Sequence, residues 1–360
     1  MMTLKSILTT LALVAVTTVT GQTTQREALI DRLWTLRQKG TMFGHQDDTF
    51  YGLTWKWQPD RSDTQETCGH LPAVMGFELG GIEMDSEVNL DSVPFTLMRQ
   101  EILAQVARGG IVTISWHPRN PLTGGDAWDT SSAEVVRSVL PGGKCHATFL
   151  VWMRRVSAFL ASLSPDGQSK TPIIFRPWHE NNGSWFWWGR DLCSAQEYHA
   201  LWCMLQDYLL VEGFDNLVWS YSPNLDGGMT REQFLERYPG DDRTDLLGID
   251  AYQSGTTEEF LKATRADLSM LAAYCSEHHK LVALTECGVK GITPKHWWTE
   301  AMLPLAKDYG LSYLLPWRNA RKDEYFGPSP KEHDAADFRA FSRDASILFV
   351  DDIRPMDSQK

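Results

Sequence analysis

Positive charge is scarce in this sequence. Lys and Arg number 34 against 46 Asp and Glu, a formal net charge of -12 over 360 residues, or -13 without the first 21 residues and Lys5. Such an acidic chain is a poor partner for nucleic acid or an anionic membrane, and a neutral substrate suits it better. Cysteine is sparse as well: six residues (68, 145, 193, 203, 275 and 287) whose spacing fits no metal-binding pattern. In an exported chain they permit disulfides, with no pairing readable from spacing. Between residue 30 and the C-terminus there is no linker, no low-complexity stretch and no short repeat.

Residues 1–21 differ from the rest of the chain. Lys5 is their only charge, and Ile7 to Val19 is apolar or small, ending in Val19-Thr20-Gly21. The pattern is that of a secretory signal peptide cleaved before Gln22. Thr9, Thr10, Thr17 and Thr18 interrupt a run already short for a membrane span. The first cysteine is Cys68, so no lipid attachment site lies near the cleavage point. An exported protein without a lipid or membrane anchor, periplasmic or extracellular, is expected, with residues 22–360 as one domain.

Short apolar runs recur along that domain, each followed by a longer stretch of helical spacing. The runs are Thr41–Gly44, Ala73–Phe77, Ile111–Trp116, Ile173–Arg176, Leu217–Tyr221, Leu246–Ile249, Leu281–Thr285 and Tyr313–Pro316. Near-continuous hydrophobicity marks parallel strands covered on both faces. Thr148–Ser162, Glu197–Leu210 and Glu258–His278 have the spacing of amphipathic helices. Eight strand–helix units predict an α/β fold, a (β/α)₈ TIM barrel. The alternative, a doubly wound open sheet, ordinarily has a glycine-rich phosphate loop after its first strand; Gly44-His45-Gln46-Asp47 is not one.

Polar and aromatic residues sit where the runs end: His45-Gln46-Asp47, Glu78, His117, His179-Glu180, Asn224, Tyr252, Glu286 and Trp317-Arg318-Asn319. In a barrel these ends converge on one face, where barrel enzymes keep their active sites. Glu180 ends the fourth run and Glu286 the seventh. Glycoside hydrolysis requires one carboxylic acid to protonate the leaving oxygen and one carboxylate facing the anomeric carbon. Aromatics around Glu180 suit the acid/base, and Arg176 beneath the site suits an ionised nucleophile at Glu286. For Arg176, a purely structural ion pair inside the barrel is equally compatible. His179 and His117 are candidate donors to substrate, Tyr252 a candidate partner of the nucleophile, and Trp317 and Trp185 candidate sugar platforms. Among the 15 tryptophans, Trp57, Trp202, Trp219, Trp297 and Trp298 are assigned by default to core or helix.

The segment Arg176-Pro177-Trp178-His179-Glu180, followed by Trp185, resembles the acid/base motif of glycoside hydrolase family 26. Phe43-Gly44-His45-Gln46, Ser115-Trp116-His117-Pro118, Thr285-Glu286 and Pro316-Trp317-Arg318 match in the same order, over about residues 30–350. The resemblance implies a retaining β-glycanase, most often an endo-β-1,4-mannanase, that needs neither metal nor cofactor. It implies Glu180 as acid/base and Glu286 as nucleophile, with His117, His179, Trp185, Tyr252 and Trp317 around the reacting sugar. Arg318 would bind the next sugar, and Asn120 and Trp128 would face neighbouring subsites. Glu78 stands where the family more often has aspartate and receives no role. The expected partner is a β-mannan polysaccharide or oligosaccharide, and the expected state a monomer. A xylanase or mixed-linkage glucanase on the same scaffold, release of mannobiose from a chain end, and a non-catalytic sugar-binding protein all stay open at this point.

Overall fold

The computed structural model describes residues 23–354; the expected signal peptide lies outside them. Eight parallel strands close into a barrel: β1 (Thr41–Gln46), β2 (Val74–Glu78), β3 (Ile111–Trp116), β4 (Ile173–Pro177), β5 (Leu217–Tyr221), β6 (Leu246–Gln253), β7 (Leu281–Val289) and β8 (Tyr313–Pro316). Each strand pairs with its successor, and β8 closes on β1 with Met42 opposite Tyr313 and Phe43 opposite Leu314. A short strand, Ile347–Leu348, adds to the outer side of β1.

The strands form because both of their faces are covered. Every residue of β1 to β5 is buried. The surrounding helices present apolar stripes to them: His146–Ser162 buries Phe149, Trp152, Met153, Val156, Phe159 and Leu160 on one side. Ala195–Val211 and Thr257–Glu277 each start at a capping box, Ser194 with Glu197 and Thr256 with Glu259. Each box satisfies two backbone N–H groups that the first turn leaves unpaired.

Inside the barrel, each strand contributes one residue to a low apolar layer: Met42, Val74, Ile111, Ile174, Val218, Leu246, Leu281 and Tyr313. Leu29, Leu33 and Leu36 of the first helix, Gln25–Arg37, pack onto this layer and close the N-terminal end. Side chains alternate along a strand, so residues two and four positions further on point into the same interior, nearer the C-terminal mouth. Arg176 on β4 and Asp250 on β6 are reached this way.

Two strands outrun their apolar stretches furthest, β6 and β7, while β1, β2 and β4 do so by one or two residues. β6 continues through Asp250–Gln253 and β7 through Glu286–Val289, because inward polar residues and Gly288 end the hydrophobic pattern while the backbone ladder goes on. The disulfides that the cysteine count permitted are not formed; all six cysteines are free thiols. Cys193 lies 3.0 Å from Arg237 Nη2, and Cys275 donates to the Leu281 carbonyl at 3.6 Å. Trp202, Trp219, Trp297 and Trp298 are core residues, whereas Trp57 is 39% exposed, contrary to its default assignment. No helix among the described residues is long and apolar enough to cross a membrane.

Candidate active site

The floor of the mouth is one buried cation between two carboxylates. Arg176, 3% exposed, donates through Nη1 to Asp250 Oδ2 at 2.9 Å and through Nη2 to Glu286 Oε1. Burial works against its charge, but Asp250 and Glu286 outweigh burial and raise its pKa, so the guanidinium stays charged. Burial raises the pKa of Asp250; Arg176 opposes that shift and the charge of Glu286 adds to it.

Glu286 reaches this position through a β-bulge. The β6–β7 register passes from Ile249 opposite Leu284 to Asp250 opposite Glu286, which leaves Thr285 as the extra residue on β7. Thr285 Oγ1 donates to Asp250 Oδ1 at 2.6 Å. Its side chain fills the space over Gly248, where an added Cβ would lie 2.5 Å from Thr285 Cγ2 and Oγ1. Tyr252, two positions after Asp250, donates its hydroxyl to Glu286 Oε2 at 2.8 Å. Both oxygens of Glu286 therefore accept a hydrogen bond, one of them from a permanent cation.

Glu180 has the opposite surroundings. Beyond β4 the chain turns sharply, with Trp178 at φ 54° and Glu180 at φ 52°. This left-handed region is costly for a bulky side chain and persists only where packing holds it. Trp116, Trp187 and Trp188 each pack 5.5 Å from the Trp178 ring. Tyr198 donates to the Trp178 carbonyl at 2.9 Å, Trp188 to the His179 carbonyl at 2.8 Å, and Glu180 N–H to the Ser222 carbonyl at 2.8 Å. Glu180 is 9% exposed, and its carboxyl accepts from Trp185 Nε1 at 2.6 Å. Burial first, then the charges of Asp250 and Glu286, push its pKa well above the ordinary carboxylate range; Trp185 and the more distant Arg176 oppose.

His179 is 1% exposed, its Nε2 3.9 Å from Glu286 Oε1. Burial, Arg176 and His117 together depress its pKa and keep it neutral. His117 packs edge-on against His179 at 4.4 Å, flat against Trp128 at 5.4 Å, and 6.4 Å from Trp317. Its Nδ1 meets Glu78 Oε2 at 2.8 Å; burial lowers the His117 pKa, and Glu78 more than restores it. Trp128 and Trp185 are exposed and Trp317 half-buried, so three indole rings are open to solvent about the mouth. A cavity of about 260 Å³ adjoins His117, walled by Met84, Val88, Leu90 and Trp128.

Arg318 is braced by the protein, with Nη2 3.0 Å from Asp91 Oδ1 and 3.7 Å from Glu324 Oε1. Asn120 differs from its expected place at a subsite. It is fully buried, donates to the Asp129 carbonyl at 2.9 Å, and accepts from the N–H groups of Leu122 and Thr123 at 3.0 and 3.2 Å. It braces its own loop and offers no free polar atom to the cleft.

Sequence reading passed over Asp250 and gave Glu78 no role. Asp250 had a signal: it follows the apolar run Leu246–Ile249 just as Glu286 follows Leu281–Thr285. Among the described residues, His179, Asp250 and Glu286 offer ligand atoms within 4.8 Å of one another, the spacing of a metal site. The Arg176 guanidinium already bridges the two carboxylates, so the balancing positive charge comes from the protein itself.

The family model for glycosyl hydrolase family 26 matches residues 16–303. A GH26 β-mannanase from Bacteroides ovatus has 44% sequence identity and a TM-score of 0.89, with 93% of this chain and 98% of that one covered. A modular endo-β-1,4-mannanase from Cellulomonas fimi has 34% identity and a TM-score of 0.83, over 91% of this chain and 76% of that one. A mannan endo-1,4-β-mannosidase of Bifidobacterium adolescentis is 35% identical over 280 residues, 75% of this chain; the match spans only 27% of that protein's length. The strand order, the two glutamates and this match over most of the sequence have one reading: the chain belongs to glycosyl hydrolase family 26.

Proposed function

We propose that this protein is a retaining β-mannanase that hydrolyses β-1,4-mannosidic linkages in mannan, glucomannan, galactomannan or manno-oligosaccharides. The observation that carries the reading is the unequal setting of the two carboxylates. Glu286 is held by Arg176 and Tyr252, whereas Glu180 is buried and receives only the indole N–H of Trp185. One carboxylate faces a permanent cation and a hydroxyl donor, as a nucleophile requires, and the other is suited to hold a proton. Relatives named as mannanases support the substrate class.

In the first step Glu180 donates its proton to the glycosidic oxygen while Glu286 attacks the anomeric carbon. The aglycone half leaves with that proton, and a covalent glycosyl ester forms on Glu286. In the second step Glu180, now a carboxylate, takes a proton from water as the water oxygen displaces Glu286. The anomeric configuration is inverted twice and therefore retained.

Around this pair, Trp317 and Trp185 supply faces for sugar C–H groups, His179 and His117 reach sugar oxygens, and Tyr252 steadies the nucleophile. Arg318 and Trp128 serve adjoining sugars. The reading also comprises one catalytic domain over residues 22–360, export through residues 1–21, and a monomer without a lipid anchor. Initial rates on β-1,4-mannan, xylan and mixed-linkage glucan test the substrate, with mannan expected fastest. A faster rate on xylan or glucan would reassign it. Binding of manno-oligosaccharides without turnover of any polymer would instead make the chain a sugar-binding protein.

A further inference from the structure

Glu78 is the least explained charge near the cleft. It ends β2, is fully buried, and faces four donors. Its Oε1 accepts from the N–H groups of Gly80 at 2.6 Å and His117 at 2.7 Å. Its Oε2 accepts from Ser115 Oγ at 2.6 Å and meets His117 Nδ1 at 2.8 Å. Burial works against the charge of Glu78, but His117 and Ser115 outweigh it and lower its pKa, so the group is an ionised carboxylate that only accepts. His117 must then carry hydrogen on Nδ1, and the same anion supports a second proton on Nε2. Among the described residues, Nε2 has no hydrogen-bond partner, and His117 keeps 7% of its surface exposed beside the cavity walled by Trp128.

We propose that Glu78 is a positioning residue that holds His117 by Nδ1, so that its Nε2–H stands in the cleft as a charged hydrogen-bond donor to a substrate oxygen. The proposal deepens the glycosidase reading and rests on it for the identity of that substrate. Other groups act on His117 from several sides. Glu286 on β7 and Asp250 on β6 favour its charge, as does Asp91 in the loop after β2, while Arg176 and the neutral His179 come from β4. Glu78 is the only one of them hydrogen-bonded to the ring. A role in folding alone would be met by Glu78 binding the two backbone N–H groups; the contact through Oε2 reaches past them to the imidazole.

Glu78→Gln separates charge from position. The amide oxygen can keep the two backbone N–H groups, which turns the NH₂ toward His117 and makes Nδ1 an acceptor; Nε2–H survives on a neutral ring. Glu78→Ala removes both. Expected are falls in kcat/KM on mannan of about 10-fold for Glu78→Gln, mainly through KM, and about 100-fold for Glu78→Ala, the span typical of charge-assisted hydrogen bonds. In a His117→Ala background Glu78→Gln, which keeps the two backbone N–H groups bound, should cost less than about 2-fold, because residues that act as one unit are not additive. Nitrogen NMR of wild type without substrate should show both His117 nitrogens protonated at neutral pH, and Glu78→Gln only Nε2. An undiminished loss for Glu78→Gln in the His117→Ala background would overturn the proposal, as would a wild-type His117 unprotonated at Nδ1. If neither Glu78 variant folds, the wild-type spectrum alone decides. A wild type that cleaves no mannan would sink the proposed substrate while leaving the NMR result to judge the Glu78–His117 pair separately.

Discussion

At the scale of single residues, two glutamates of identical chemistry are set apart by their neighbours. Replacement of Glu286 by Ala removes the proposed nucleophile, and hydrolysis of mannan should fall below detection in a reducing-sugar assay. Glu180→Ala should lower kcat on mannan by about 10²–10⁴-fold, the usual worth of general acid catalysis. With an aryl mannoside whose leaving group needs no proton, the formation of the glycosyl ester should be almost unaffected, as a pre-steady-state burst would reveal. Since burial raises the Glu180 pKa, the rate should hold above the ordinary carboxylate range and fall only as pH passes that raised value. The same shift has a stability consequence. The folded state binds this proton more tightly than the unfolded chain, so stability is full at low pH and is lost as pH climbs from the unfolded pKa toward the folded one. Glu180→Gln escapes that loss. Its melting temperature should exceed that of wild type by a few degrees at pH 7, about 2–4 °C per kcal/mol, and match it near pH 4. An equal difference at both pH values would contradict the explanation. Both glutamates stood out in the sequence because each follows an apolar run. Glu78 and Asp250 did not acquire roles, because their partners, His117 and Arg176, are 39 and 74 residues away and meet them only when the barrel closes.

At the scale of elements, the bulge on β7 is what aims Glu286. Thr285 occupies the space that Gly248 leaves free, and in doing so it ties Asp250 to the floor of the site. Gly248→Ala should force the two strands apart locally, at about 1–3 kcal/mol for overpacking, and should lower kcat more than it raises KM because Glu286 moves. Chemical denaturation and steady-state kinetics on one preparation would check both; a kcat equal to wild type would contradict the role given to the bulge. Bulges leave no mark on an apolar run, so the sequence placed the end of β7 at Thr285 while the ladder continues to Val289. β3, β5 and β8 were legible residue for residue, since the inward polar residues of β3 and β5, Thr113, Ser115 and Ser220, are small and uncharged and leave the apolar run readable. The turn after β4 was legible as a loop, but its left-handed Trp178 and Glu180 were not: the strain is sustained by aromatic rings from distant segments.

At the scale of the whole molecule, alternation of strands and helices predicted the closed barrel, and closure explains why residues spread from His117 to Trp317 meet at one mouth. The apolar layer below Arg176 and the plugging first helix leave the C-terminal end as the open one. What sequence periodicity did not contain was the hydrogen-bond network across the mouth, which depends on distances between strands that are not neighbours. The Arg176 ion pairs belong to this scale, because they join β4 to β6 and β7 across the interior. Arg176→Met would strand two buried carboxylates, and the cost should be about 3–5 kcal/mol, read as a lowered denaturation midpoint. Double displacement on a β-mannoside is the central claim, and one experiment reaches it most directly. Proton NMR of manno-oligosaccharide hydrolysis, run with wild type and Glu286→Ala, should show the β-anomer appearing first with wild type and no products with the variant. An α-anomer formed first, or full activity in Glu286→Ala, would contradict it.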